Sequence, residues 1–144
     1  MSHSLPFSRV HIVGTGLLGT SIGLGLVEAG ATVTLEDQSP SRAALAAEYG
    51  AGIVLTPPAE GGENPDSAVQ LVVVATPPDV TADVVLDALA RYPRAAVIDV
   101  ASVKSRVVDH VMASALPATG AVSQRFIGTH PMAGRERGGP TNAR

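Results

Sequence analysis

The stretch HIVGTGLLGTSIGLGL, residues 11–26, decides how this chain is read. Gly14, Gly16, Gly19, Gly23 and Gly25 fall within it, and Gly30 follows. Glycine inside a helix costs about 1 kcal/mol relative to alanine, so a run this rich needs a use for backbone without side chains. The flanks supply one. Arg9–Val13 reads as a strand, and Leu18, Ile22 and Leu26 recur at spacing four, which predicts a helix over Leu17–Ala29 with Gly30 as its C-cap glycine. Gly14-x-Gly16-x-x-Gly19 therefore lies between a strand and a helix, the context that a dinucleotide-binding turn requires. Gly14 permits the tight turn, Gly16 lets backbone approach a pyrophosphate, and Gly19 lets the helix pack closely on the sheet. Gly23, one turn further on, extends that close helix–sheet contact. The pyrophosphate would rest at the helix N-terminus, facing free N–H groups and the positive end of the dipole. Leu17 and Leu18 stand with the three glycines as cofactor-binding residues.

Asp37 comes 18 residues after Gly19, at the end of the second strand. A carboxylate there takes the ribose hydroxyls and repels a 2′-phosphate, so NAD is favoured over NADP. Arg42 stands close enough in sequence to keep NADP open. Glu36 reads as a solvated strand end ahead of a ligand role.

The rest of the chain repeats the alternation of strand and helix. Thr32–Glu36 is a β-branched strand. Ser39-Pro40 reads as an N-cap with proline at the first helical position, opening a helix to about Tyr49 that Gly50 closes. Ile53–Leu55 is a short strand, and TPPAEGGENPDS, residues 56–67, is a surface loop rich in Pro, Gly and acids. Leu71–Ala75 is a continuous apolar run, the signature of a strand covered on both faces. A helix over Asp79–Arg91, a strand over Ala95–Val100, a helix over Val103–Ser114 and a short strand near Arg125–Thr129 complete the series. Strands separated by helices of about 10–15 residues build βαβ units and a parallel sheet. The expected fold is α/β, a Rossmann-type doubly wound parallel sheet forming one dinucleotide-binding domain over residues 1–144.

Composition narrows the function classes. A chain of 144 residues fits one domain with a sizeable core. Hydrophobic residues make up 45% of it and aromatic ones 3%, so that core must be aliphatic. A net charge of −3 without a basic block argues against a nucleic-acid partner. No apolar run reaches the roughly 20 residues of a membrane span, and MSHSLPFSRV is too short and polar for a secretory signal. A soluble cytoplasmic protein is expected. The absence of cysteine excludes disulfides, thiolate nucleophiles and cysteine-bound zinc, and no metal site is expected.

In open α/β sheets ligands bind beyond the carboxyl ends of the strands. Ala75-Thr76-Pro77 at one such end lines the cofactor or is simply a proline-terminated strand. Asp99-Val100-Ala101-Ser102-Val103-Lys104 follows another, with Ala101 beside the cofactor. There the Ser102 hydroxyl either caps the next helix or faces the ligand, and Lys104 reads as a surface lysine in the first helical turn. Of four histidines, His3 lies in the terminus, His11 sits within the first strand as a structural residue, and His110 is solvated on a helix. His130 alone stands at a strand end before a loop with Pro and Gly, where an imidazole can accept a hydroxyl proton near neutral pH. Its position alone leaves catalysis and a structural role evenly balanced.

Four segments, GTGLLGTSIGLGL, VVVATPP, DVASVK and FIGTHPMAGRE, together resemble the prephenate/arogenate dehydrogenase family of tyrosine biosynthesis in order and spacing. The resemblance runs over about residues 9–139, and the DVxSVK and THPMAG pair is far more specific than the glycine turn. It implies NAD(P)-dependent oxidative decarboxylation of prephenate, or of arogenate. It also implies that His130 is the catalytic histidine that draws off the substrate hydroxyl proton, with Ser102 orienting imidazole and hydroxyl. Ala101 stands where the family often has glycine. Arg135 stands where many members have threonine, and it either binds a substrate carboxylate or points to solvent. Family members continue into a helical domain that forms a homodimer and closes the site, so this chain is expected to be the cofactor-binding portion of a longer enzyme, inactive alone. Two alternatives stand beside this reading: another β-hydroxyacid-type dehydrogenase, and an NAD-binding fragment that catalyses nothing.

Overall fold

Thr32–Glu36 and Leu71–Val74 lie on either side of Arg9–Val13, and both run parallel to it. Parallel neighbours on both sides require a crossover in each direction, and the helices supply them. The computed structural model describes residues 5–55, 68–114 and 122–131. In chain order the elements are β1 (Arg9–Val13), α1 (Leu17–Glu28), β2 (Thr32–Glu36), α2 (Pro40–Glu48), β3 (Ile53–Val54), β4 (Leu71–Val74), α3 (Pro78–Arg91), β5 (Ala96–Asp99), α4 (Lys104–Ala113), α5 (Val122–Arg125) and β6 (Phe126–Gly128). The sheet runs β3-β2-β1-β4-β5-β6 with every pairing parallel. This is the expected α/β doubly wound Rossmann-type sheet, and its strand order reverses between β1 and β4. The expected loop at 56–67 and Arg135 lie outside the described residues.

The period-two alternation of each strand divides the core into two layers. Val10, Ile12, Val33, Leu35, Leu71 and Val73 face α1 and α2, against Leu18, Ile22 and Ala46. Val72, Val74 and Val97 face α3 and α4, against Val85, Leu89, Tyr92, Val107 and Val111. β4 is buried along its whole length, as a strand covered on both faces must be. Small side chains let the helices sit close: Gly19, Thr20 and Gly23 are the buried residues of α1.

Element ends depart from the sequence expectation by a residue or two. α1 ends at Glu28, with Gly30 at φ 92° donating to Val27 O and Ala31 to Leu26 O, the paired bonds of a glycine-terminated helix. Ser39 is the N-cap residue of α2, yet its side chain makes no capping bond; its hydroxyl lies 2.9 Å from Ser41 Oγ. α4 starts at Lys104 with Val103 at the cap, so the Ser102 hydroxyl is not a helix cap. Gly23 meets the backbone of Ala51, in the turn between α2 and β3, rather than a strand. No helix among the described residues is long and apolar enough to cross a membrane.

Candidate functional site

The three glycines of the first turn answer to different neighbours. Gly14 has φ 98°, and a Cβ there would stand 2.4 Å from Ala75 O. A Cβ on Gly19 would stand 1.8 Å from Gly14 O. Those two positions are glycine because protein backbone fills the space. Gly16 is different: its φ is −74° and a Cβ there would meet nothing within 4 Å. The protein itself does not require glycine at this point, and the open space lies at the N-cap of α1, where no side chain caps the helix. That is the fit expected of an anionic group resting on free N–H groups.

The turn opens on a cavity of about 1270 Å³ at the carboxyl ends of β1, β2 and β4. Gly14, Gly16, Leu17, Leu18, Asp37, Ala75, Thr76 and Pro77 all line it. So do Glu36, Arg42, Asp79, Asp87, Arg91 and Tyr92. Ala75 N donates to Val13 O at 2.8 Å, tying the β4 loop to the end of β1. Thr81, one turn into α3, donates to Pro77 O at 2.9 Å and steadies the same loop.

Asp37 is more deeply engaged than its position in the sequence suggests. Its Oδ2 accepts from Thr15 N at 2.7 Å and from Thr15 Oγ1 at 2.9 Å, and its Oδ1 accepts from Ser39 N at 2.8 Å. Thr15 itself is fully buried, and its carbonyl accepts from Thr20 Oγ1. One carboxylate therefore holds the glycine turn and the loop after β2 together, while remaining at the cavity wall.

Glu36 is partly exposed at the end of β2, as expected of a strand end, but it is not alone. Its Oε2 lies 3.1 Å from His11 Nε2 and accepts from Arg91 Nη1 at 2.9 Å. His11 is completely buried, with Nδ1 2.8 Å from Thr34 Oγ1 and its ring 5.3 Å from that of Tyr92. The arrangement bridges β1, β2 and α3 beneath the cavity, and it bears out His11 as a structural residue. His110 is about half exposed and faces Asp83 at 3.4 Å.

The His11 hydrogen bond, together with the Arg91 guanidinium and the charge on His11, holds the Glu36 carboxyl below its ordinary value of 4.5, against the opposing pull of burial. A carboxyl lowered in the folded state stabilises the fold above its unfolded value, and that contribution is lost as pH falls through the folded value. Glu36→Gln is therefore expected to be less stable than the wild type near neutral pH, with the difference shrinking below about pH 4. Denaturant melts across that range measure it. An equal difference at all pH values would show that the carboxylate charge plays no part.

Ser102 and His130 do not line the cavity. Both stand at the neighbouring strand ends, exposed to solvent, Ser102 after β5 and His130 after β6. His130 Nδ1 lies 3.0 Å from Pro131 O. Ala101 is buried beside Asp99, to which its N–H donates. Lys104 is not a surface lysine: Nζ pairs with the buried Asp99 carboxylate. The described site thus has two parts along one sheet edge, a cavity over β2, β1 and β4 and a pair of polar loops over β5 and β6.

Residues 22–144 match the family described as prephenate dehydrogenase, nucleotide-binding domain. The chain is 37% identical over 133 residues to the probable prephenate dehydrogenase NovF of Streptomyces niveus, a match covering 92% of this chain and 33% of NovF. The crystal structure of prephenate dehydrogenase from A. aeolicus in complex with hydroxyphenyl propionate and NAD+ aligns with a TM-score of 0.75 at 25% identity, over 97% of this chain and 47% of that one. Synechocystis arogenate dehydrogenase shares the fold, with a TM-score of 0.74 at 23% identity over 94% of this chain and 45% of that one. The chain spans a third of the length of NovF and just under half of each of these two structures.

Proposed function

The chain belongs to the prephenate dehydrogenase family, in the region of its nucleotide-binding domain, and from that membership we propose that it binds NAD and serves the oxidative decarboxylation of prephenate, with arogenate as the alternative substrate. The observation that carries the proposal is Gly16: its open face, at an uncapped helix N-terminus on the cavity wall, has no reason within the protein to lack a side chain.

The nicotinamide, when bound, supplies hydride acceptance from the ring carbon that bears the hydroxyl, while carbon dioxide leaves and the ring becomes aromatic. The protein's own task is binding, orientation and one proton transfer. The free N–H groups at the start of α1 receive the pyrophosphate. Asp37 faces the ribose, and its negative charge opposes a 2′-phosphate. Ala75, Thr76, Pro77, Leu17 and Leu18 flank the dinucleotide; Ala101, buried on the loop after β5, lies outside the cavity they line. His130 takes the hydroxyl proton, Ser102 orients the imidazole and the hydroxyl, and Arg135 meets a substrate carboxylate. Holding the substrate and the nicotinamide as near neighbours is the larger part of the catalysis. The proposal extends to a cytoplasmic protein and to a homodimer of family length, with the chain alone binding cofactor but not turning it over.

NADH formation from prephenate and from arogenate, measured on residues 1–144 and on a family-length protein carrying them, tests this. Turnover by the longer protein and none by the shorter is expected. Robust turnover by the 144 residues alone would overturn the need for a second wall, and no turnover by either would overturn the reaction.

Asp37→Ser is expected to narrow the preference for NAD over NADP, because the charge opposing the 2′-phosphate is gone. Loss of the Asp37 bonds to Thr15 and Ser39 should weaken NAD binding at the same time. Calorimetric titration of both cofactors reads both effects. A wild-type preference for NADP would remove Asp37 from this role and point to Arg42, which lines the same cavity.

A further inference from the structure

The loops that carry Ser102 and His130 are both fastened to one residue. Asp99 ends β5 and is fully buried. Its Oδ2 accepts from Ala101 N at 3.1 Å and from Lys104 Nζ, which reaches back from the first residue of α4. Its carbonyl oxygen accepts twice from Thr129, from N–H at 3.1 Å and from Oγ1 at 2.5 Å. Ala101 immediately precedes Ser102, and Thr129 immediately precedes His130. In the β5–β6 register Asp99 is paired with Gly128. A Cβ on Gly128 would stand 3.4 Å from both Asp99 Oδ1 and Lys104 Cδ, so the β6 backbone lies directly against the ion pair.

Stability alone is a weak explanation of this arrangement. A buried ion pair seldom repays the desolvation of its two charges, and apolar residues of the same volume often stabilise more. Asp99 also keeps one carboxylate oxygen, Oδ1, buried without a hydrogen-bond partner among the described residues, a cost that folded proteins rarely retain without a function. The cost falls at the one point from which both loops depart.

We propose that the Asp99–Lys104 pair is a positioning device: its carboxylate fixes the Ser102 loop through Ala101 N, its packing against the Gly128 backbone, beside the Asp99 carbonyl that takes both Thr129 bonds, fixes the His130 loop, and so it sets the placement of the two side chains relative to each other. Lys104 holds the Asp99 carboxylate in place, and Asp99 holds the loops. None of Asp99, Ala101, Lys104 and Thr129 lines the cofactor cavity, so the pair acts on kcat and leaves cofactor binding alone. The proposal rests on the reading of Ser102 and His130 as the residues that handle the substrate hydroxyl.

Two measurements on Asp99→Asn test it, with Lys104→Arg as the conservative variant. Asp99→Asn/Lys104→Met removes both charges and leaves no unpaired one should the single variant fold poorly. The first measurement is amide hydrogen exchange in residues 1–144, at Ala101 and Thr129 against Val73 in the central strand. Asp99→Asn and the double variant are expected to speed exchange at Ala101 and Thr129 at least about tenfold beyond any change at Val73, and Lys104→Arg to retain most of the protection. The second is kinetics in a family-length protein. There kcat is expected to fall at least about tenfold, with KM for NAD changed less than about threefold. Exchange that rises at Val73 in equal measure, or an unchanged kcat, would make the pair a plain stability element and overturn the proposal. If the wild type oxidises neither prephenate nor arogenate, the reaction assignment fails by itself and the exchange pattern alone decides whether the pair fixes the loops.

Discussion

With asparagine in place of His130, a family-length enzyme carrying this domain is expected to lose about 10²- to 10⁴-fold in kcat, the range of a positioned general base, while its affinity for NAD stays within a few fold. The separation of the two effects follows from the layout. His130 stands after β6 and does not line the cavity formed by the glycine turn, Asp37 and the β4 loop. Asparagine keeps a polar side chain of similar reach but cannot take up a proton. The pH–rate profile should also lose the limb that the base contributes. Stopped-flow NADH formation gives kcat and calorimetry gives the cofactor affinity. If kcat is unchanged, His130 is a structural residue whose ring serves its contact with Pro131 O.

The second large effect separates two glycines three residues apart. Gly19→Ala puts a carbon 1.8 Å from Gly14 O, a backbone atom in a turn fixed by Gly14 N donating to Glu36 O. Helix α1 must move off the sheet or the turn must open. The cost is expected at or above the upper end of overpacking, about 3 kcal/mol, a large part of a domain's margin of about 5–15 kcal/mol. Gly16→Val, by contrast, adds a side chain to open space and is expected to leave the melting temperature nearly unchanged while abolishing NAD binding. Thermal melts and calorimetric titration of both variants decide the matter. A folded Gly16→Val that binds NAD normally would make the motif purely structural, and a Gly19→Ala as stable as the wild type would contradict the close approach of α1 to the turn.

Gly14 and Gly19 show why the fold was legible in the sequence. The demand on Gly14 and Gly19 is steric and local, set by a turn and the helix it feeds, so the spacing alone carries it. The unbroken apolar run of Leu71–Val74 announces burial on both faces for the same local reason. The parts that stayed illegible depend on partners far apart in the chain. Glu36 is held by His11 and Arg91, which lie 25 and 55 residues away in opposite directions, and nothing in the residues around it signals either. Lys104 looked like an exposed lysine because the carboxylate it reaches is buried at the end of the preceding strand. One signal was available. His11 is a polar residue inside an apolar strand, and its register partner is Thr34, with Glu36 two residues on along the same face of β2; parallel pairing of β1 with β2 puts the three side chains side by side. Thr15, enclosed between two glycines, had no such signal; its role appears only once Asp37 is seen to fold back on it.

The outermost strand is attached in an unusual way. β6 has three residues and, among the described residues, pairs with β5 alone. Its neighbour Arg125 donates from Nη1 to the carbonyls of Tyr92 and Ala95 and from Nη2 to that of Leu89, at the C-terminus of α3. A cation is favoured at that end of a helix, where carbonyls lack partners. Local opening of the domain therefore has a natural first unit: β6, the Arg125 clasp and the His130 loop can leave together, while the five remaining strands keep the glycine turn, Asp37 and the cavity. On the proposed reading, the residues that would hold a dinucleotide and the residue that would take the proton therefore sit in different opening units, and the second unit rests on a three-residue edge strand.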